Sequence, residues 1–291
     1  MSYHRGERKV QEILGRSAEA DRSSRVIRNG FSEVHAAFVG MQRLVVIGWA
    51  DSGGRIWAST LTGPPGFART TGPHSLSLVL DRTQLASPSG LLADRPFETG
   101  LLFPDRRTGL RLRVNGIARP TKRGLAVDTA QVFTNCPGRL RHWSGPGQHA
   151  VAAKQAVSGE MLSPVQQKWI TDADTFFIAT TSDTGTADAS HRGGEPGSVK
   201  VVSPTQLVWA ERSGNSMFTT LGNLAVNPRA GILFIDGRSG ATLHLTGTTR
   251  HHLTGEEPIV HFMITHVVQT APVDVAGLRR QQQLARGVSA G

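Results

Sequence analysis

The residues best suited to chemistry lie in a glycine-rich segment between two apolar runs, residues 189 to 201. Ser190, His191 and Arg192 are followed there by two glycines, so a hydroxyl, an imidazole, a guanidinium and bare backbone amides come close together. This combination suits a phosphate, because arginine binds phosphate oxygens through paired hydrogen bonds and exposed amides bind anions. A solvated Gly/Pro loop is the alternative that the composition leaves open.

A second segment, residues 217 to 234, adds hydroxyl groups. Its pattern predicts a strand end that delivers Thr219 and Thr220, then a short helix carrying Asn223, which ends at Asn227-Pro228. Two hydroxyls at a helix start are able to complete a phosphate site. Helix capping alone is the other interpretation.

The elements around these segments occur twice in the chain. Residues 102–119 align with residues 233–250 at an offset of 131, with 8 of 18 positions identical, and the register extends over about 60 residues. This indicates a tandem duplication. The first repeat has Ser59-Thr60-Leu61 where the second has Ser190-His191-Arg192, so the histidine and the arginine occur in one repeat only.

Each repeat begins with a short helix signal and continues with short β-rich runs separated by Gly/Pro turns, a pattern typical of small antiparallel barrels. We therefore predict a mainly β fold with a few short helices. The predicted organisation is an N-terminal helical arm over 1–31 with Val10, Ile13 and Leu14 as its apolar contacts, a first repeat over 32–138, a linker over 139–162, a second repeat over 163–275 and a C-terminal tail over 276–291.

The composition narrows the function classes. The 291 residues include 32 Lys+Arg and 22 Asp+Glu, which gives a net charge of +10, but the charges are scattered and form no nucleic-acid-binding arm. The arginine surplus fits either a small anionic ligand or a codon bias. A single cysteine, Cys136, excludes an intrachain disulfide and any multi-cysteine metal site. With no signal-peptide or membrane-spanning pattern, we expect a cytoplasmic protein.

The order SHRGGEPGSVKV, FTTLGNLAVNPRAGILFID and HLTGTTR resembles the pyridoxamine 5′-phosphate oxidase-like, FMN-binding split-barrel proteins, in particular a group of flavin-nucleotide-binding proteins. The resemblance covers roughly residues 38–272. It implies two tandem split β-barrels that form a pseudo-dimer within one chain. It also implies cofactor-binding residues: the FMN phosphate near Ser190, His191, Arg192, Thr219, Thr220 and Asn223, Lys200 close to the phosphate or ring, and the backbone around Val199 and Leu221 against the isoalloxazine.

The chain departs from the family pattern at two places. Ser198 follows Pro-Gly where relatives commonly have an aromatic residue, and Gly138-Arg139 follows Asn-Cys-Pro where they have Lys and Tyr. These changes leave the phosphate site intact and put the ring-stacking wall and the substrate side in question. First-repeat residues that could instead face the ring are Trp57, Thr60, Phe67 and Trp143, and Cys136 is interpreted as a core or wall residue.

The resulting functional prediction is an FMN-dependent oxidoreductase that acts on a small organic substrate by hydride or electron transfer. His191 is the one candidate catalytic residue, with orientation of the phosphate loop as its alternative role. Other interpretations stay open: a deazaflavin or haem in place of FMN, a non-catalytic flavin carrier, and further homodimerisation. We predict no metal site, no nucleic-acid partner and no membrane partner; His251, His252, His261 and His266 lack tight metal spacing.

Overall fold

The computed structural model describes residues 3–80, 95–105, 107–135, 154–212, 214, 216–253 and 257–272. Cys136, Trp143, most of the predicted linker and the whole predicted C-terminal tail lie outside these ranges. Within them, five helices are present: α1 Arg5–Ile13, α2 Ser17–Ser24, α3 Glu33–Met41, α4 Pro164–Asp172 and α5 Thr219–Val226. None of the helices in the described ranges is long and apolar enough to cross a lipid bilayer.

Seven antiparallel strands of the first half form one sheet in the order β2-β1-β5-β6-β7-β4-β3. Their bounds are β1 Leu44–Ala50, β2 Ile56–Thr62, β3 Ala68–Gly72, β4 Ser75–Val79, β5 Phe97–Pro104, β6 Arg111–Thr121 and β7 Gly124–Asn135. Buried residues alternate with half-buried ones along β4, whereas β1 and β5 are buried on both faces. The sheet therefore curls around one apolar core and packs with its outer face against a second layer.

The second half repeats this sheet in the order β10-β9-β13-β14-β15-β12-β11, and an extra strand, β8, pairs with β15. The bounds are β8 Lys154–Gly159, β9 Thr175–Thr181, β10 Ala187–Gly193, β11 Val199–Ser203, β12 Gln206–Ala210, β13 Arg229–Ile235, β14 Thr242–His252 and β15 Ile259–Pro272. Each strand from β9 to β15 takes the place that β1 to β7 take in the first sheet.

Local irregularities recur at the same offset of 131. The β3–β4 pair shifts register between Thr70 and Gly72, and the β11–β12 pair does so between Val201 and Ser203. Bulges follow Asn115 in β6 and Thr246 in β14. Because bulges depend on specific residues and not on sheet formation in general, their recurrence reflects one ancestral unit. The predicted fold class, mainly β with two tandem split barrels, is confirmed.

Parts of both predicted connecting segments belong to the barrels. β8, which lies in the predicted linker, pairs Gly159 with Val267 of β15. In the first half, Arg28 of the predicted arm forms an antiparallel bridge with Val132 of β7. Arg28 and Gly159 are themselves 131 positions apart. The duplicated unit therefore begins before the helix signals at which the sequence places it.

The two barrels pack against each other as a pseudo-dimer. The apolar part of the interface combines first-half and second-half residues: Leu44, Val46, Ile56, Ala58 and Leu102 with Phe177, Ala179, Ala189 and Leu233. Gly100 lies against the backbone of Asp188 and Ala189, and Gly231 lies against that of Trp57 and Ala58. Gly231 lies 131 positions after Gly100, and the residues it faces lie 131 positions before those that Gly100 faces. The interface therefore has approximate twofold symmetry.

The N-terminal arm packs on the second barrel. Val10 is fully buried in that barrel's core and Leu14 packs against it, as predicted, but Ile13 is 53% exposed because it lies on the outer face of α1. A capping box fixes the start of α1: the His4 side chain accepts from the Gly6 amide, and the Glu7 carboxylate accepts from the His4 amide at 2.9 Å.

Candidate functional site

Two predicted segments meet beside the interface. Strand β10 presents Ser190, and α5 presents Thr219 and Thr220 in its first turn. The Thr220 hydroxyl donates to Ser190 Oγ at 3.1 Å, and Ser190 donates in turn to Asp188 Oδ2 at 3.1 Å. All four side chains are buried. The N-cap of α5 is Phe218, so the threonine hydroxyls are not capping groups and are available for this network.

The segment before α5 is a strained turn and not the strand end that the sequence pattern predicts. Ser216 and Phe218 have φ angles of 58° and 55°, in the left-handed region that non-glycine residues rarely occupy. Such strain persists only where surrounding contacts hold it, and it clusters at functional sites. The turn aims the first residues of α5 at the interface.

The cation beside these hydroxyls comes from the other repeat. Arg113 of β6 donates from Nε to Asp188 Oδ1 at 3.1 Å and from Nη2 to Thr219 Oγ1 at 2.7 Å. Its guanidinium carbon also lies 4.7 Å from the centroid of the Phe133 ring. Arg113 and Asp188 are 3% and 2% exposed, so this ion pair is buried between the two barrels. Burying such a pair is costly unless further hydrogen bonds satisfy its donors, and the bond to Thr219 is one of these.

Neighbouring residues on β6 extend the polar cluster. Asn115 donates from Nδ2 to Gln131 Oε1 at 3.1 Å and to Asp188 Oδ1 at 3.3 Å, while its buried Oδ1 accepts no hydrogen bond from the described residues. Arg111 Nη1 lies 3.1 Å from His191 Nδ1. Because a guanidinium only donates, His191 Nδ1 accepts, and the neutral ring carries its proton on Nε2.

The N-terminal helix contributes two more titratable groups. His4 Nε2 lies 2.9 Å from Asn223 Oδ1, and burial lowers the pKa of His4 despite this contact. Burial, reinforced by the nearby Asp188 carboxylate, raises the pKa of Glu7 to about 7, against the lowering effects of the His4 amide and of Arg113. A carboxyl group with such a pKa changes its charge near neutral pH.

Four predicted site residues do not join this cluster. Arg192 places its Nε 2.8 Å from Glu211 Oε1, and Trp209 Nε1 donates to the same oxygen at 2.9 Å. Lys200 is exposed on β11, an edge strand, whereas Val199 and Leu221 are buried in the core of the second barrel. The structure thus pairs the Arg192 guanidinium with Glu211 and brings Arg113 beside Thr219, and phosphate binding by Arg192 stays a prediction.

A comparison of the repeats explains the position of Arg192. The residues 131 positions before Arg192 and Glu211 are Leu61 and Leu80, and both belong to the apolar core of the first barrel. The second barrel thus has an ion pair where the first has two leucines. The presence of Arg192 in one repeat only, which the sequence suggests is functional, has a structural explanation.

The interface has a second place that corresponds to the charged cluster, and its described residues differ in type. Trp57 stands at the position of Asp188, Thr242 at that of Arg111, and His244 at that of Arg113. His244 contacts the Ala58 carbonyl oxygen through Nδ1 at 2.9 Å and Thr242 Oγ1 through Nε2 at 2.7 Å. Among the described residues at these corresponding positions, the Arg113–Asp188 ion pair has no counterpart.

The remaining candidates lie elsewhere. Trp57 and Phe67 are buried in the core of the first barrel, and Trp57 Nε1 donates to Asp51 Oδ2 at 3.0 Å. The rings of His252 and His261 are 5.5 Å apart, but no three His, Cys, Asp or Glu in the described ranges converge as metal ligands.

Sequence reasoning missed Arg111, Arg113, Asn115, Asp188 and Glu7. The 131-residue offset carried a signal for three of them, because it aligns charged residues with residues of another type: Asp188 with Trp57, Arg113 with His244 and Arg111 with Thr242. Reading that signal required knowledge of which strands face the other repeat. Glu7 gave no signal, since it lies in a charged helix outside the duplicated unit.

No family model and no curated protein match this chain. Solved structures similar to it include HupZ from Group A Streptococcus, with 13% identity, a TM-score of 0.30 and coverage of 35% of this chain and 90% of that one. The heme storage protein HutZ from Vibrio cholerae has 12% identity and a TM-score of 0.29, with coverage of 38% of this chain and 95% of that one. The FAD binding protein from Mycobacterium smegmatis has 14% identity and a TM-score of 0.28, with coverage of 39% of this chain and 99% of that one. Likenesses this weak do not bear on the ligand of this chain.

Proposed function

We propose that this chain is an oxidoreductase that binds a phosphate-bearing flavin, FMN, and acts on a small organic substrate. The proposed binding site is the charged interface cluster around Arg113, Asp188 and Ser190. The observation that carries the proposal is the asymmetry of the duplicated interface. One place holds Arg111, Arg113 and Asp188, and the corresponding described positions hold Thr242, His244 and Trp57. Buried ion pairs are frequently no more stabilising than apolar packing, so a function is a better reason to retain this one than stability is.

The donor set fits the proposed ligand. The Arg113 guanidinium and the hydroxyls of Ser190, Thr219 and Thr220 are the groups that would hold a phosphate. Asn115 Oδ1, which is buried and accepts no hydrogen bond from the described residues, would accept from a flavin imide or a ribityl hydroxyl. Asp188 accepts from Arg113 and Ser190 and would hold both in position.

FMN supplies hydride or electron transfer when it is bound, and the chain supplies binding and electrostatics. The part of His191 follows from its contact with Arg111. Because Nδ1 accepts from the guanidinium, this nitrogen is engaged and is poorly placed to act as a general base. We therefore propose a positioning role for His191.

The first experiment is the absorption spectrum of the purified protein, followed by mass identification of any released chromophore. Flavin bands and released FMN are the expected result. A Soret band would identify haem and replace FMN in the proposal, a deazaflavin spectrum would do the same, and a colourless protein that does not bind added FMN would refute it. Turnover with an added reductant then separates an enzyme from a flavin carrier.

Conservative variants test the residues. Thr219→Val and Thr220→Val each remove one hydroxyl with little change in volume, and each should weaken FMN binding by about three- to tenfold, the range for one lost hydrogen bond. Thr71→Val, at an exposed position in the first barrel, is the matched control and should bind FMN like the wild type. Equal affinity in all three variants would place the flavin elsewhere.

A further inference from the structure

The N-terminal helix α1 lies directly on α5 without a side chain between the two backbones. Gly6 of α1 faces the carbonyl oxygen of Gly222 of α5, and Gly222 faces Cα and Cγ of Glu7. A Cβ atom on either glycine would collide with the opposite helix. Such close approach depends on glycine at both positions.

Polar contacts bind the same arm to the strained turn before α5. Gln11 Nε2 donates to the Met217 carbonyl oxygen at 3.1 Å, and Ser216 Oγ donates to Glu19 Oε2 at 2.9 Å. Tyr3 and Ala20 pack with Met217 in a small apolar cluster. Residues 216–223, which carry the threonines of the proposed site, are therefore held in place by the arm.

Glu7 extends from this helix into the electrostatic field of the interface cluster. Its carboxylate accepts from the His4 amide and lies 3.7 Å from His4 Nε2 on its own element, where the adjacent Arg8 also acts on it. From the opposing elements it is influenced by Asp188 on β10 and Arg113 on β6. The site thus contains a second buried carboxyl group close to the cation that the proposed ligand would use.

We propose that α1 is a displaceable cover of the interface site, and that Glu7 is a built-in competitor of an anionic ligand for Arg113. This inference rests on the proposed function for the location of the ligand. Glu7 and Asp188 repel each other when both are ionised, so the cover is strained by its own charge. An entering anion takes over the favourable interaction with Arg113 and adds to the repulsion of Glu7, which drives α1 away from α5.

Protonation of Glu7 sets the direction of the pH dependence. The pKa of Glu7 is about 7 when α1 is closed, whereas a solvated glutamate has its ordinary value of 4.5. The closed state therefore binds more protons than the open state, and closure weakens as the pH rises from about 4.5 to about 7. Over that interval the closing equilibrium should change by on the order of 100-fold.

Hydrogen–deuterium exchange of residues 5–13 tests the cover without relying on a flavin. After correction for intrinsic rates, exchange in α1 should be faster at pH 8 than at pH 5.5, and Glu7→Gln should remove most of the difference. Gly6→Ala should accelerate exchange at both pH values because its Cβ meets α5. The controls are Glu33→Gln and Gly40→Ala in α3, where Glu33 is exposed and a Cβ at Gly40 meets nothing within 4 Å.

Ligand addition completes the test. Saturating FMN, or inorganic phosphate as a minimal probe, should increase exchange in α1, although a bound ligand ordinarily decreases exchange where it binds. FMN should also associate faster with Gly6→Ala, by about tenfold, and more slowly with Glu7→Gln at pH 8. If FMN binds to no variant, the proposed function fails while the pH and Gly6→Ala experiments still decide the cover. Unchanged α1 exchange in Gly6→Ala and across pH would overturn the cover.

Discussion

Arg113 of the first repeat donates from its Nε to Asp188 of the second repeat, 3.1 Å away, and both side chains are almost fully buried. Removal of either partner should cost about 3–5 kcal/mol in the free energy of unfolding, because the other charge is left buried without compensation. Arg113→Leu and Asp188→Leu, followed by urea denaturation, measure this cost. The double substitution should be much less destabilising than the sum of the two.

An exposed pair of the same chemistry provides the control. Arg119 and Asp128, on β6 and β7, form an ion pair with side chains 52% and 57% exposed. Arg119→Leu should change the free energy of unfolding by less than about 1 kcal/mol, the range for surface pairs. Equal costs at Arg113 and Arg119 would mean that the interface is hydrated and not buried.

The next prediction concerns the replacement of the Arg192–Glu211 ion pair of the second barrel by two leucines. Arg192→Leu alone should destabilise by about 2–3 kcal/mol, less than a fully buried pair, because the Arg192 side chain keeps 21% exposure. Arg192→Leu with Glu211→Leu reproduces Leu61 and Leu80 of the first barrel and should recover part of the lost stability, because the buried Trp209 Nε1 then lacks its acceptor.

FMN titration of the same double variant separates structure from binding. Since Arg192 pairs with Glu211 away from Thr219, the double variant should bind FMN with an affinity within about twofold of the wild type. A loss of 1.5–3 kcal/mol, roughly 10- to 150-fold and typical of a lost charge-assisted phosphate contact, would restore Arg192 to the site.

The two interface glycines should respond alike to substitution. Gly100→Ala and Gly231→Ala each introduce a Cβ against the backbone of the opposite barrel and should cost about 1–3 kcal/mol or more in unfolding free energy. Gly159→Ala is the control, because its Cβ would meet only the Met161 carbonyl oxygen at 3.8 Å. A large effect at one interface glycine and none at the other would argue against the twofold arrangement.

Glu7 should make the unfolding free energy depend on pH. Its pKa is about 7 in the folded protein and 4.5 when unfolded, so the folded state binds more protons and stability falls between about pH 4.5 and pH 7, by roughly 3 kcal/mol at most. Urea denaturation of Glu7→Gln should lack this decline and exceed the wild type in stability at pH 8. Glu33→Gln should follow the wild-type profile.

The internal repeat was the most informative part of the sequence. Its constant offset predicted a duplicated β architecture, and the bulges after Asn115 and Thr246 preserve that offset in the structure. The hydroxyl part of the site, Ser190 with Thr219 and Thr220, was also predicted, because both segments lie within one repeat. Whether these residues bind a cofactor stays a prediction.

The charged half of the site could not be read from either repeat alone. Arg113 and Asp188 are 75 positions apart and meet only because two barrels pack face to face, and local patterns contain no information about that packing. The ion pair of Arg192 could not be predicted for a related reason. A charge in a strand looks available for a ligand until the opposite strand supplies Glu211.

The covalent joining of the two barrels also determines whether a substitution changes one or both of the corresponding places in the interface. In a dimer of identical subunits, an aspartate introduced at the position of Asp188 would appear at both places of the interface, and both copies would need a cation. Here Trp57 and Asp188 occupy corresponding positions with different side chains, so each place changes independently. The fused pair is also held together at any dilution, and a binding site built from its two halves has a fixed stoichiometry of one per chain.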